Sequence, residues 1–121
     1  MKFLQLAGLF SLILSALAQP AFAAKCYVRE YPALAVPRGQ IAQIAKEAGT
    51  DQAPIDFTSG HAESAAFAGS TNFIRLWCDA QASNKFGAAP VATNSNSPQT
   101  AGQPEYYGVV PGNKVSVVAN P

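Results

Sequence analysis

The chemistry that this sequence could support is concentrated around its single histidine. His61 lies two residues from Ser59 and two from Glu63, so a hydroxyl, an imidazole and a carboxylate are close in sequence. A nucleophilic hydrolase needs these groups, but it also needs a structural signature that exposes the serine, and none flanks this segment. We interpret His61 as an exposed loop histidine and predict that the chain is not an enzyme.

The remaining metal-ligating and acidic side chains form no recognised motif. Asp51 and Asp56 flank a four-residue segment that lacks the alternating oxygen ligands and glycine turn of a calcium loop. Cys26, Cys78 and His61 have neither the number nor the spacing of a zinc site. No glycine-rich phosphate loop or dinucleotide fingerprint is present. We predict no metal and no cofactor.

The two cysteines, Cys26 and Cys78, allow two interpretations. In an oxidising compartment an isolated pair is a candidate disulfide, whose loop of roughly fifty residues would contribute about 4 kcal/mol in the chain-entropy model. The alternative is two buried free thiols, since an unpaired cysteine behaves as a small hydrophobic residue. The sequence leaves both open.

The N-terminal segment predicts export. Residues 1–23 contain one lysine, an apolar run over residues 3–18, a proline, and the small-x-small pattern Ala21-Phe22-Ala23. This is the pattern of a cleavable signal peptide, with cleavage between Ala23 and Ala24 and export to the periplasm or the extracellular space. The mature chain would then be one domain, residues 24–121.

The charges of residues 24–121 indicate what the domain does not bind. Seven basic and seven acidic side chains are scattered through them, so the net charge is zero. A nucleic-acid-binding domain usually shows a basic stripe, and a membrane-surface helix a basic amphipathic pattern. Neither is present, and we predict no nucleic acid and no membrane partner.

The clearest element is a strand over residues 73–78, in which Phe73, Arg75 and Trp77 share one face. We favour core packing for this face, with Arg75 at its rim beside Glu105. The alternative is an exposed contact surface for a protein or a glycan. Tyr106 and Tyr107 point to opposite faces of their strand, so one of them is expected to face solvent or a partner.

The pattern around this strand predicts two hairpins. Residues 73–78 would pair with a strand in residues 84–93, with Asp79 capping the turn, and residues 105–110 with residues 114–119 through a type II turn at Pro111–Asn113. Residues 25–36, with Pro32 inside them and Pro37 directly after them, are predicted to form an edge strand or arm. Residues 94–104 are predicted to be an exposed, mobile loop.

Residues 40–48 are ambiguous. Their apolar side chains fall at helical spacing, and Gly49 occupies the position of a helix C-terminal cap. This local pattern favours a short helix although everything around it is β, and the resemblance described below favours a strand. With this segment left open, the sequence predicts an all-β fold: a small β-sandwich, jelly-roll or immunoglobulin-like, or a partly open barrel of about seven or eight short antiparallel strands.

Four motifs in residues 62–119 resemble the small β-rich structural proteins of tailed bacteriophages. They are Ser64–Phe67, Thr71–Asp79, Phe86–Thr93, and Glu105–Val109 with the closing strand Lys114–Ala119. The resemblance implies a non-enzymatic virion protein, a capsid decoration or accessory subunit, whose partner is a capsid protein or further copies of itself. The predicted signal peptide departs from this pattern. An engineered export fusion, a relative that is truly secreted and a gene-start artefact would each explain it, and the sequence does not choose between them. The alternative function is a secreted or periplasmic module that recognises a glycan or cell-surface protein through Phe73, Trp77 or residues 94–104.

Overall fold

Alternating buried and exposed residues form two antiparallel sheets that pack face to face. The structure is a computed structural model and describes residues 23–121. Apart from Ala23, the predicted signal peptide lies outside the described residues. The strands are β1 Lys25–Tyr31, β2 Thr50–Asp51, β3 Ile55–Asp56, β4 Ala62–Glu63, β5 Phe73–Cys78, β6 Ala82–Gly87, β7 Ser97–Gln99, β8 Glu105–Gly108 and β9 Lys114–Ala119. The predicted all-β sandwich is confirmed, with nine strands in the described part of the chain.

The two sheets divide the strands unequally. Sheet I has the order β2-β1-β5-β8, and β3 pairs with β1 on the same side as β2. Sheet II has the order β4-β9-β6-β7. The core lies between them and is formed by Cys26, Val28, Ile55, Phe57, Phe67, Ile74, Leu76, Cys78, Ala82, Val115 and Val117.

Neither predicted hairpin forms. β5 belongs to sheet I and β6 to sheet II, and β8 and β9 are separated in the same way, so each connection crosses between the sheets. The predicted type II turn is confirmed within the second connection, since Gly112 has φ of 86° and the Asn113 N–H donates to the Val110 carbonyl. The residues of this turn therefore determine the bend of the chain, but they do not determine which strands pair.

β1 is a central strand, not the predicted edge strand. It pairs along its whole length with β5, and on its other side with β2 and β3. Pro32 and Pro37 lie beyond its last residue, Tyr31, so their missing N–H donors do not affect the ladder. Asp79 also differs from its predicted role, because its Oδ1 accepts from the Lys25 N–H at 2.7 Å rather than capping the following turn.

Residues 32–49 form an arm that is neither the helix nor the strand considered for residues 40–48. A single 3-10 turn spans Pro37–Gly39, and one isolated bridge joins Leu34 to Ala45. Ile41 is 75% exposed and Ile44 60%, so the apolar side chains at helical spacing have no surface to pack against. A short amphipathic helix draws most of its stability from such packing, and the arm instead closes on itself through backbone hydrogen bonds.

The predicted loop at residues 94–104 contains the short strand β7, which pairs with β6. Gln99 is fully buried. Its Nε2 donates to the carbonyl oxygens of Leu76 and Gln103, the second at 2.8 Å. The prediction of an exposed, mobile loop is wrong at this residue, because the polar side chain is hydrogen-bonded to backbone carbonyl groups inside the fold.

Cys26 and Cys78 lie directly opposite each other on β1 and β5, with their Cα atoms 4.0 Å apart, and are joined by a disulfide. Both are fully buried.

Residues 23–121 contain no helix that is long and apolar enough to cross a bilayer.

A buried carboxylate connects β1 to the segment before β5. Glu30 points into the fold and is 7% exposed. Its Oε1 accepts from the Ala68 N–H at 2.8 Å and from the Thr71 hydroxyl at 2.7 Å, and its Oε2 accepts from Gln52 Nε2 at 3.3 Å. These bonds meet the requirement that a buried charge be hydrogen-bonded.

Candidate binding face

The surface of sheet I that points away from the core carries a concentration of aromatic and cationic side chains. We call it the outer face, and define it by Tyr27, Arg29, Tyr31, Phe73, Arg75, Trp77 and Tyr106. Period-two alternation places three of these residues on β1, three on β5 and one on β8. The register then sets the β1 and β5 residues side by side.

The aromatic rings form two cross-strand pairs at opposite ends of the face. Tyr27 and Trp77 have ring centroids 5.6 Å apart and planes tilted by 52°. Tyr31 and Phe73 stack at 5.1 Å, and the ring of Tyr106 lies 6.4 Å from that of Phe73. Such pairs stabilise a sheet beyond their buried area.

Two arginines face each other between the aromatic pairs. Arg29 and Arg75 are direct register partners, an arrangement of like charges that is unfavourable unless it is compensated. Arg29 is compensated: its Nη1 lies 2.9 Å from both Asp51 carboxylate oxygens, and its Nη2 donates to Glu47. These hydrogen bonds raise the pKa of Arg29. In the described part of the chain no carboxylate pairs with Arg75.

Glu47 fastens the arm to the outer face. Its carboxylate accepts from the Gly49 N–H at 2.9 Å, from Arg29 and from the Tyr31 hydroxyl at 3.0 Å. The Gly49 N–H first and Arg29 second hold the pKa of Glu47 down, to about 2. The arm covers Tyr31 so closely that a Cβ on Gly49 would lie 2.7 Å from the tyrosine ring. Gly49 is therefore required for this contact and does not cap a helix.

A groove of about 550 Å³ runs across one end of the outer face. We call it the cationic groove. Its lining contains two arginines and one aspartate, so its formal charge is +1, and the Tyr27–Trp77 pair forms its apolar wall. It is lined by Tyr27, Arg29, Asp51, Arg75, Trp77 and Pro104.

A second groove, of about 230 Å³, lies where the arm meets the other end of the face. We call it the apolar groove. Its lining contains no charged side chain, and two of its residues, Ile44 and Tyr106, are 60% and 56% exposed. It is lined by Leu34, Gln43, Ile44, Ala45, Phe73 and Tyr106.

Phe73, Arg75 and Trp77 are not packed in the core as favoured from the sequence. They are half-buried on the outer face, while Ile74, Leu76 and Cys78 point inward. The inward residues form the core side of β5, so the face of β5 that carries Arg75 is the one left to solvent.

The expected pairing of Arg75 with Glu105 does not form, because Glu105 points inward and accepts a hydrogen bond from the Tyr107 hydroxyl. Tyr106 and Tyr107 do point to opposite faces, as predicted: Tyr106 is exposed and Tyr107 packs against the core. Burial first and Glu105 second raise the pKa of Tyr107 to about 12.

The residues considered for catalysis are not brought together. His61 is exposed, and no hydrogen bond joins it to Ser59 or Glu63 within residues 23–121. Glu63 pairs instead with Lys114 at 3.1 Å. Asp56 accepts from the hydroxyl and N–H of Thr58, which lower its pKa. Over the same described residues, no three His, Cys, Asp or Glu side chains cluster as metal ligands.

Sequence reasoning missed the β1 half of the outer face. Tyr27, Arg29 and Tyr31 repeat the aromatic-x-Arg-x-aromatic spacing of residues 73–77. This repeated spacing is a signal in the sequence, and antiparallel pairing of the two segments brings the arginines opposite each other. Interpreting residues 25–36 as an edge strand left this repeated spacing unused.

Comparison of this chain with protein-family models, with curated proteins and with solved structures gives no match. The outer face and its two grooves are therefore the features from which we infer function.

Proposed function

We propose that this chain is a non-enzymatic structural protein that self-associates through the apolar end of its outer face. The observation that carries the proposal is the apolar groove, with the exposed side chains of Ile44 and Tyr106 in its lining. The resemblance to tailed-phage structural proteins supports a virion component, a capsid decoration or accessory subunit, as the biological role.

The free energy available at this surface supports a contact between proteins. Burying one large apolar side chain contributes about 1.5–3 kcal/mol, so exposed isoleucine and tyrosine side chains are a natural contact surface. Ile41, on the same arm, is 75% exposed. The proposed contact buries these side chains against a second copy.

The edge of sheet I lies beside the same groove. Tyr106 belongs to β8, which is the last strand of the sheet order in the described chain. An edge strand presents unpaired N–H and C=O groups that invite a neighbouring strand. Apolar side chains and backbone hydrogen-bonding groups are thus available to one partner at one place.

Light scattering coupled to size-exclusion chromatography tests self-association. We expect a mass above that of one chain, and we expect Ile44→Ser to weaken the association by about tenfold or more, because one buried apolar side chain is lost. The matched control is Val91→Ser, which removes a 53% exposed apolar side chain beside sheet II. Such a surface should associate at protein concentrations up to about 0.1 mM. If the measured mass remains that of one chain over this range, the proposal is contradicted.

A further inference from the structure

We propose that the cationic groove binds a saccharide that carries a carboxylate. This site is distinct from the apolar groove, because the Tyr27–Trp77 pair and the Tyr31–Phe73 pair lie four residues apart along β1, about 13 Å. The inference therefore does not rest on self-association.

The cation that would hold the carboxylate is Arg75. Both terminal nitrogens of its register partner Arg29 are paired with carboxylates, of Asp51 and Glu47. Arg75, in contrast, is half-buried in the groove, and no carboxylate in residues 23–121 pairs with it. A planar guanidinium accepts a carboxylate through two parallel hydrogen bonds. A bound anion would also relieve the repulsion between the two facing arginines, which the fold alone compensates on one side only.

The wall of the groove suits a flat, amphipathic ring. Trp77 is half-buried and Tyr27 is 42% exposed, and their tilted planes form an open angle. A pyranose ring has an apolar C–H face, which packs against an aromatic ring, and polar hydroxyl groups, which stay hydrated. A partly exposed aromatic wall matches both properties.

Asp51, in the lining of the same groove, offers acceptors for hydroxyl groups. The carboxylate side chain of Asp51 is 67% exposed, and each of its oxygens accepts from Arg29. An ionised carboxylate has about four acceptor positions, so capacity remains for hydroxyl donors. A ligand with both a carboxylate and neighbouring hydroxyls complements Arg75 and Asp51 together.

An extended peptide fits this groove less well. The floor is formed by β1 and β5, whose backbone groups are paired on both sides within sheet I. Strand addition, which gives many peptide complexes their affinity, is possible at a sheet edge but not on a sheet face. The groove can offer side chains alone, and these match an acidic sugar.

Titration followed by tryptophan fluorescence tests the site directly, because Trp77 is the only tryptophan in the chain. The probe is trigalacturonic acid, with a neutral galactose trisaccharide and the peptide Glu-Glu-Glu as comparison ligands. We expect a saturable change with the acidic sugar and at least tenfold weaker binding of the other two. Binding of the acidic sugar should also weaken as salt concentration rises.

Arg75→Gln is the decisive variant, with Lys85→Gln as its control. Removing one charged hydrogen-bonding partner is expected to weaken binding about tenfold or more, while Lys85, an exposed cation on β6 of sheet II, should have no effect. Arg75→Gln removes a like-charge pair and leaves no buried group unpaired, so the fold should persist. Circular dichroism can verify this.

Four results would overturn the proposal. They are no saturable change at about 10 mM acidic sugar, equal binding of the neutral sugar, equal binding of the tripeptide, and unchanged binding by a folded Arg75→Gln variant. A monomeric protein in the light-scattering experiment would leave this site unaffected.

Discussion

Breaking the disulfide between Cys26 and Cys78 is expected to lower the free energy of unfolding by about 4 kcal/mol. The two residues are 52 positions apart, and closing a loop of that length in the unfolded chain costs about 4 kcal/mol of entropy at 25 °C in the chain-entropy model. A domain of this size has a total stability of about 5–15 kcal/mol, so the loss is a large fraction of it.

The assay is urea unfolding followed by circular dichroism, with and without reductant. For a urea slope of about 1.5 kcal/mol per molar, the midpoint should fall by about 2.7 M on reduction. Circular dichroism is preferable to fluorescence here, because Trp77 adjoins one of the cysteines and its emission would report the bond itself.

A double variant, Cys26→Ala with Cys78→Ala, separates the two contributions to this loss. Reduction keeps both sulfur atoms in the core, whereas the variant also removes them from fully buried positions. We expect the variant to be less stable than the reduced protein by about 1 kcal/mol. Midpoints of the oxidised and reduced proteins within about 0.5 M would refute the assignment of the stability to loop closure.

Two further predictions concern the carboxylates that connect the segments. Glu30→Ala should destabilise the fold by about 3 kcal/mol in urea unfolding, because it leaves the buried hydroxyl of Thr71 and the partly buried N–H of Ala68 without their acceptor. Glu30→Gln should cost less, and Glu63→Ala under about 0.5 kcal/mol. Equal costs for Glu30→Ala and Glu63→Ala would contradict the role of Glu30. Because the folded-state pKa of Glu47 is about 2, below its usual 4.5, its contribution is full above pH 4.5 and is lost as the pH falls toward 2. Amide hydrogen exchange of the arm should rise over that range, and Glu47→Gln should abolish the dependence; unchanged protection would argue against this anchor.

Local sequence determined those features that depend on short-range geometry. The period-two alternation of residues 73–78 fixed which side chains share a face, and it also placed Tyr106 and Tyr107 on opposite faces. Glycine at position 112 fixed the type II turn, because the third turn residue needs a positive φ. Together with the β-rich composition, these signals were sufficient for the all-β class.

Only the tertiary structure decided which strands pair and what covers them. Crossing connections and hairpins can use the same turn residues, so β5 and β6 could not be assigned to separate sheets from the sequence. The arm buries Tyr31, on the outer face, to 1% exposure through a contact that depends on long-range packing. The meeting of Arg29 and Arg75 likewise follows from the register of β1 on β5, because residues 46 positions apart become neighbours only when the strands pair.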